Sequence, residues 1–243
     1  MNAGGPAWLI LPTYNEAGNI AAFVEAVRAK LPASARVLIV DDNSPDGTGR
    51  IADELAERHE GVSVLHRPRK EGLGAAYIAG FERALAGGAA YVLEMDADFS
   101  HDPAYLPRLL EVGSRTDLAI GSRYVPGGGV GEWSPLRKAI SRGGSAYART
   151  VLGLGVRDLT GGFKCFRREV LEAIDFASIR SRGYAFQVET TYRAVRLGFD
   201  VAEFPIVFRE RRAGRSKMGR AIVLEAAWRV PLLRLRPTAT SKS

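Results

Sequence analysis

The chain is poor in several things that a 243-residue protein often has. One cysteine excludes internal disulfides and thiolate cages, and three scattered histidines are too few for a multi-histidine zinc centre. A metal, if the chain uses one, belongs on oxygen ligands. No apolar run approaches the roughly 18 residues of a membrane span; the best uncharged candidate, Ala84 to Leu93, carries two glycines. Met1 to Asn15 lacks a basic segment, and its apolar stretch Ala7 to Leu11 is too short for a signal peptide. The expectation is a soluble or peripheral protein, with no signal peptide or transmembrane span in this chain. The P-loop pattern G-x-x-x-x-G-K-S/T is missing, and the nearest dinucleotide fingerprint, Gly72-Leu73-Gly74-Ala75-Ala76-Tyr77, ends in tyrosine and follows no strand directly. Gly72 and Gly74 read instead as a tight turn and a close helix contact.

What is there fits one folded unit: 46% hydrophobic, 25% charged and 9% aromatic residues. Charge is abundant and uneven. Residues 1 to 120 hold 11 Lys/Arg against 17 Asp/Glu, net −6, and residues 121 to 243 hold 23 against 10, net +13, giving the overall +7. An acidic half suits a cation or polar small molecule; a basic half suits a polyanion, a phosphorylated substrate or an anionic membrane.

Short apolar runs at Trp8 to Leu11, Val37 to Val40, Val62 to Leu65, Tyr91 to Met95 and Leu118 to Ile120 read as buried strands. Helical patterns lie between them. Ile20, Phe23, Val24, Val27 and Leu31 share one face after Asn15 as cap, and Arg50 to His59, Ala75 to Leu85 and Ala104 to Val112 follow. This alternation predicts an α/β fold, a mostly parallel sheet flanked by helices, with ligands beyond the carboxyl ends of the strands. After Gly121 the pattern predicts a glycine loop at 126–131, a basic helix from Leu136 to Leu154, helices at Arg168 to Ile174 and Phe186 to Leu197, and a strand within Val201 to Phe208. Residues 209–220 read as a mobile basic loop. The expected division is one domain over 1–220 and an apolar, basic tail over 221–243, an amphipathic extension that either lies on a membrane or packs on the core.

Carboxylates gather at the strand ends. Asp41-Asp42 closes the second predicted strand, and like charges side by side there call for a partner on at least one. Asp46-Gly47 and Thr48 read as turn and cap. Asp96-Ala97-Asp98 closes the fourth strand; acids two apart on an extended chain reach the same side and can share a hard cation, with Ser100 as a further oxygen. Mg²⁺ or Mn²⁺ held so keeps positions open for phosphate oxygens. Glu94, just before this pair, has no assigned part.

Pro12-Thr13-Tyr14-Asn15-Glu16, Asp41 to Thr48, Asp96-Ala97-Asp98, Gly121-Ser122-Arg123-Tyr124, Asp158 to Phe163 and Ser216-Lys217 together resemble the family 2 glycosyltransferases of GT-A, Rossmann-like fold. Within that family Ser44-Pro45-Asp46-Gly47-Thr48, the run Asp158-Leu159-Thr160-Gly161-Gly162-Phe163 and the late Ser216-Lys217 resemble the polyprenol (dolichol) monophosphate mannose synthases. The resemblance implies transfer of mannose from GDP-mannose to a polyprenyl phosphate, with inversion and a divalent metal. It implies that Pro12, Tyr14, Glu16, Val40 and Asp42 hold the nucleoside, and that Asp96, Ala97, Asp98 and Ser100 form the metal and diphosphate site. Arg123, Arg137 and Ser141 would meet the lipid phosphate, and Arg211 and Lys217 would close over the diphosphate. Asp98, Arg123, Arg211 and Lys217 are the expected catalytic set.

No His or Cys near any motif serves as a nucleophile, and a phosphate monoester acceptor, with a second pKa of about 6, needs none. Arg137, Lys138, Arg142 and Arg149, interleaved with Leu136, Ile140, Tyr147 and Val151, suit a helix on an anionic bilayer. The expected position is peripheral, at the cytoplasmic side of a membrane, with a separate integral membrane partner as one means of attachment. Two alternatives stand beside this reading. One is glucosylation from UDP-glucose; the other is a basic nucleic-acid-binding module, which leaves the paired acids without purpose, so no nucleic acid is expected.

Overall fold

A computed structural model of the chain describes residues 5–131, 133–179, 181, 183–209 and 229–234. β1 (Ala7–Thr13), α1 (Ile20–Arg28), β2 (Arg36–Asp41), α2 (Thr48–Arg58), β3 (Val62–His66), α3 (Leu73–Ala86) and β4 (Tyr91–Glu94) alternate as expected. A 3₁₀ turn at Pro103–Tyr105 and α4 (Leu106–Gly113) lead to β5 (Leu118–Ser122). Then follow β6 (Gly129–Val130), α5 (Pro135–Leu152), β7 (Lys164–Arg167), α6 (Arg168–Ala173), α7 (Gly183–Arg196), β8 (Val201–Pro205) and β9 (Val207–Phe208).

The main sheet has seven strands in the order β3-β2-β1-β4-β7-β5-β8, and β6 pairs with β9 apart from it. All its pairings are parallel except those of β7, which runs antiparallel to β4 and β5. β1 shows how the two faces form. Its side chains alternate, so Trp8 and Ile10 join a core with Tyr77, Phe81 and Phe186, while Leu9 and Leu11 join a second core with Phe23, Val27 and Leu109. Helices cover both sides of such a sheet, which is why its strands are continuous apolar runs. Burying one large apolar side chain contributes roughly 1.5 to 3 kcal/mol, so these two layers dominate stability.

One strand lies where the sequence pattern predicts no element, and two local expectations are corrected. β7, just before the helix expected at Arg168 to Ile174, separates β4 from β5. The stretch 126–131, expected as loop alone, contains β6, where the Gly129 N–H reaches the Ile206 carbonyl at 3.0 Å. α1 begins at Ile20, and Asn15 does not cap it: the Glu16 carbonyl accepts from the N–H groups of Asn19 and Ile20, both at 2.9 Å, and Asn15 sits at φ 59°. The glycine reading holds. Gly72 has φ +100°, and a Cβ on Gly74 would lie 2.9 Å from the Phe186 ring, so α3 approaches α7 only because that position is glycine. Of the tail, the helical segment 229–234 buries Val230 and Leu233 in the first core, and Arg234 donates to the Val151 carbonyl at 3.0 Å.

Candidate active site

β1 lies between β2 and β4, so the connections diverge there and leave a crevice beyond the carboxyl ends of the strands. Three loops line it, after β1, β2 and β4. Each contains a non-glycine residue at positive φ: Asn15 (59°), Asn43 (57°) and Phe99 (62°), and no other described non-glycine residue has one. Asparagine tolerates that conformation; Phe99 does so at a cost of about 1 to 3 kcal/mol. Its ring edge on Phe23, with centroids 4.8 Å apart, holds it in place and fixes the turn between Asp98 and Ser100.

The first two loops are stitched together. The Asn15, Glu16 and Ala17 N–H groups donate to Ser44 Oγ (3.1 Å), Thr48 Oγ1 (2.9 Å) and Asp46 Oδ2 (3.1 Å). Asp46 Oδ1 accepts from the Thr48 N–H and hydroxyl, so the cap of α2 is the Asp46 carboxylate and Thr48 is the first helical residue. Asp41 accepts from the Ser44 N–H (3.0 Å), Ser44 Oγ (2.6 Å) and Thr13 Oγ1 (3.2 Å). The partner required by Asp41-Asp42 comes from the chain itself: Arg67, just past β3, pairs with Asp42 and, at 2.6 Å, with Glu71. Burial pushes the Asp42 carboxyl up, against the pull of Arg67. Tyr14 lies beneath Lys70, whose Nζ is 3.6 Å from the ring centre. Val40 turns its side chain into the first core and Ala97 into the second, so each faces the crevice through backbone alone. Pro12, half-buried at the end of β1, and Glu16 border the same loops.

At β4 each member of the carboxylate pair is anchored through at least one oxygen. Tyr77 donates to Asp96 Oδ1 at 3.2 Å, and the Ser100 N–H donates to Asp98 Oδ1 at 3.0 Å. The Tyr77 hydroxyl is pushed well up by burial and by the surrounding acids. Ser100 Oγ is buried with no hydrogen-bond partner. Among the described residues no third Asp, Glu, His or Cys joins the two aspartates to complete a protein cage. Two carboxylates and an orphaned hydroxyl oxygen are the donor set that suits Mg²⁺ or Mn²⁺ completed by substrate phosphates and water. The residues therefore fit a divalent cation.

Glu94 finds its setting here. It is fully buried opposite Lys164 in the β4–β7 register, and Lys164 Nζ donates to the Gln187 carbonyl (2.9 Å) and Gln187 Oε1 (2.6 Å). Burial raises Glu94 against the pull of Lys164 and Gln187, and burial lowers Lys164 to about 8 against Glu94 and Asp158. A Cβ on Gly162 would lie 3.2 Å from Gln187 Nε2 and 4.0 Å from Asp96 Oδ2, so this cluster sits directly behind the carboxylate pair.

The expected phosphate ligands fall on two elements. Arg123, at the end of β5, donates through Nε and Nη2 to Asp158, both at 2.7 Å, and through Nη2 to Thr160 at 2.8 Å. Burial alone would raise Asp158, but the charge and hydrogen bonds of Arg123 hold it below the usual carboxylate value of 3.8. A phosphate at Arg123 would have to share the guanidinium with this pair. Ser141 Oγ is 2.6 Å from the Tyr124 hydroxyl, and the Arg137 guanidinium lies 4.1 Å from the Trp133 ring centre. A histidine does lie near a motif, contrary to expectation: His101 follows Asp98 by three residues. Its ring stacks on Phe163 at 5.4 Å with the Phe208 edge at 5.0 Å, and only 3% of the residue is exposed, so it is packed away from the crevice. Arg211 and Lys217 lie outside the described residues; Arg209, the last described residue before them in sequence, donates its N–H to the Ser100 carbonyl at 2.9 Å.

The chain as a whole is similar to known proteins. The family model for glycosyl transferase family 2 matches residues 8–175. The chain belongs to that family. This family 2 glycosyltransferase is 49% identical over 224 residues to the polyprenol monophosphomannose synthase of Mycolicibacterium smegmatis, covering 91% of this chain and 84% of the relative. It is 51% identical over 217 residues to the undecaprenyl-phosphate mannosyltransferase of Micrococcus luteus, covering 89% of each. Its fold matches glucosyl-3-phosphoglycerate synthase from Mycobacterium tuberculosis in complex with phosphoglyceric acid, with a TM-score of 0.72 and 20% identity, covering 97% of this chain and 82% of that one. The same enzyme solved with Mn²⁺, UDP-glucose and phosphoglyceric acid gives a TM-score of 0.70. At that identity the likeness is one of fold, the GT-A arrangement of a mostly parallel sheet between helices.

Proposed function

We propose that the chain transfers mannose from GDP-mannose to a polyprenyl monophosphate, with inversion at the sugar carbon. The observation that carries this is the identity of about half, over about nine-tenths of the chain, to two proteins named for mannosyl transfer to polyprenyl phosphates. The loops after β1 and β2 receive the nucleoside, with the Tyr14 ring and Asp42 on its base side and Pro12, Glu16 and the Val40 backbone around it. Asp96 and Asp98, with Ser100, would hold a divalent cation, which when bound would supply charge neutralisation for the diphosphate. An acceptor phosphate oxygen attacks the sugar carbon as the bond to the nucleoside diphosphate breaks on the opposite side. The acceptor is already anionic, so Arg123, Arg137 and Ser141 have to position it and no base is required. Charge growing on the leaving diphosphate falls to Arg211 and Lys217.

The apolar side of α5 supports a position at a membrane. Leu136, Ile140 and Tyr147 are exposed large apolar residues that fall on one side of this helix, opposite Ser145 and Ala148 in its buried face. Among the described residues no helix is long and apolar enough to cross a membrane. The reading places α5 along an anionic bilayer, where the lipid-borne acceptor resides.

The test incubates the protein with polyprenyl phosphate, Mg²⁺ or Mn²⁺, and radiolabelled GDP-mannose or UDP-glucose in parallel. Label entering the lipid fraction from GDP-mannose is the expected result. Transfer from UDP-glucose alone would move the assignment to a glucosyltransferase, and no lipid product from either donor would contradict the reading.

A further inference from the structure

Arg142 and Arg149 of helix α5 differ from the arginines of α2, α4 and α6 and from Arg193 of α7. Arg50 and Arg58 of α2, Arg108 of α4, Arg168 of α6 and Arg193 of α7 each meet a carboxylate three or four residues away. α5 carries Arg137, Lys138, Arg142 and Arg149 and contains no Asp or Glu. Arg142, Ala146 and Arg149 fall on one side of it, at spacings of four and three. Together with Tyr124 and Arg157 they line an open cavity of about 300 Å³. Among the described residues the side chains of Arg142, Arg149 and Arg157 meet no carboxylate, and no acid lines the cavity.

The cavity is built and not a chance cluster. Ala146 keeps the space between the two helical arginines clear. Arg157 is fixed in the loop after α5, because its N–H and that of Asp158 donate to the two oxygens of Glu203 at 2.7 and 2.9 Å. Tyr124 is fixed by its 2.6 Å bond to Ser141. Three solvent-exposed arginines line one open space whose described lining holds no counter-charge, and their planar forks match the oxygens of a tetrahedral phosphate.

We propose that this cavity is a phosphate-binding pocket, separate from Arg123, Arg137 and Ser141, that takes either the phosphate of an anionic lipid headgroup or a free phosphate. It adjoins the acceptor group through the Tyr124–Ser141 bond. The pocket goes beyond the transfer reaction and does not rest on the choice of donor.

The full chain is compared with Arg142→Gln/Arg149→Gln and with the charge-preserving Arg142→Lys/Arg149→Lys. Both side chains are exposed, and melting temperatures confirm that each variant folds. Two probes are used without any sugar nucleotide: inorganic phosphate, followed by the arginine Nε–H signals in NMR, and sedimentation with phosphatidylcholine vesicles with or without phosphatidylglycerol. The Gln pair should weaken binding of at least one probe by about tenfold or more, and the Lys pair by nearly as much, because a point charge does not replace the fork. Loss confined to phosphatidylglycerol vesicles identifies a lipid headgroup; loss in the phosphate titration identifies a free phosphate. The proposal is overturned if the wild type binds neither probe, if the Gln pair binds both like the wild type, or if the Lys pair matches the wild type in the probe that responds. Because no donor is present, either outcome leaves the mannosyl transfer result to stand or fall separately.

Discussion

The carboxyl edge of β1, β2 and β4 and the helix α5 handle charge in opposite ways. At the edge every aspartate has at least one oxygen secured by the protein: Asp41 by Thr13 and Ser44, Asp42 by Arg67, Asp96 by Tyr77 and Asp98 by the Ser100 N–H. On α5 Arg142 and Arg149 meet no carboxylate of the described chain. The first region holds its groups in one geometry before any ligand arrives, which is what a metal and a departing diphosphate require. The second keeps its charge available for a partner that brings the counter-charge with it.

The contrast can be broken at graded points. Asp98→Ala removes half of the paired carboxylate and should abolish metal-stimulated transfer, while a second measurement, Mn²⁺ binding by electron paramagnetic resonance, should show the site lost; unchanged Mn²⁺ affinity would remove Asp98 from the metal site. Arg123→Ala leaves Asp158 buried and uncompensated, and should lower unfolding stability in urea by about 3 to 5 kcal/mol. Both side chains are nearly fully buried, at 5% and 0% exposure, so little screening softens that loss. The same pair sets an acid limit. Asp158 has a folded-state value below 3.8, so its contribution is complete above that pH and is lost as the pH falls through the depressed value. Asp158→Asn should therefore show less acid dependence of stability than the wild type below about pH 4.

Lys217→Ala should cost on the order of 10² to 10³ in turnover, as removal of one electrostatic contact to a developing charge does elsewhere; full activity would remove its assigned role. At the small end stands Arg50→Ala. Its pair with Glu54 is solvent-exposed, with 74% of the arginine side chain accessible, and the melting curve should move by no more than about 0.5 kcal/mol equivalent. A larger shift there would blur the distinction between paired arginines that do little and unpaired ones kept for a ligand.

Strand positions and the carboxylates at their ends were legible because they are local: an apolar run, then an acid, then a turn signal. The pairings that make those acids a site were not. Arg67 meets Asp42 across 25 residues and Arg123 meets Asp158 across 35, and no spacing rule connects them. Arg67 left one faint sign, its place just past a predicted strand at the ligand edge. β7 was hidden by Lys164, a charged residue inside a four-residue strand that is buried because Glu94 and Gln187 face it. The same lysine explains Glu94, which a local reading could only leave beside Asp96 and Asp98 without a part. Thr48 and Asn15 show the limit of cap signals: both are cap-type residues, and the caps came from Asp46 and from the Glu16 backbone.

The central claim, that the carboxyl edge activates a mannosyl donor for a phosphate on a lipid, is tested most directly by one assay. Radiolabelled GDP-mannose is given to vesicles containing polyprenyl phosphate, with wild-type protein, with wild type plus EDTA, and with Asp98→Ala. The account predicts lipid-linked label in the first sample and its loss in the other two. Equal label in all three, or none in the first, would contradict it.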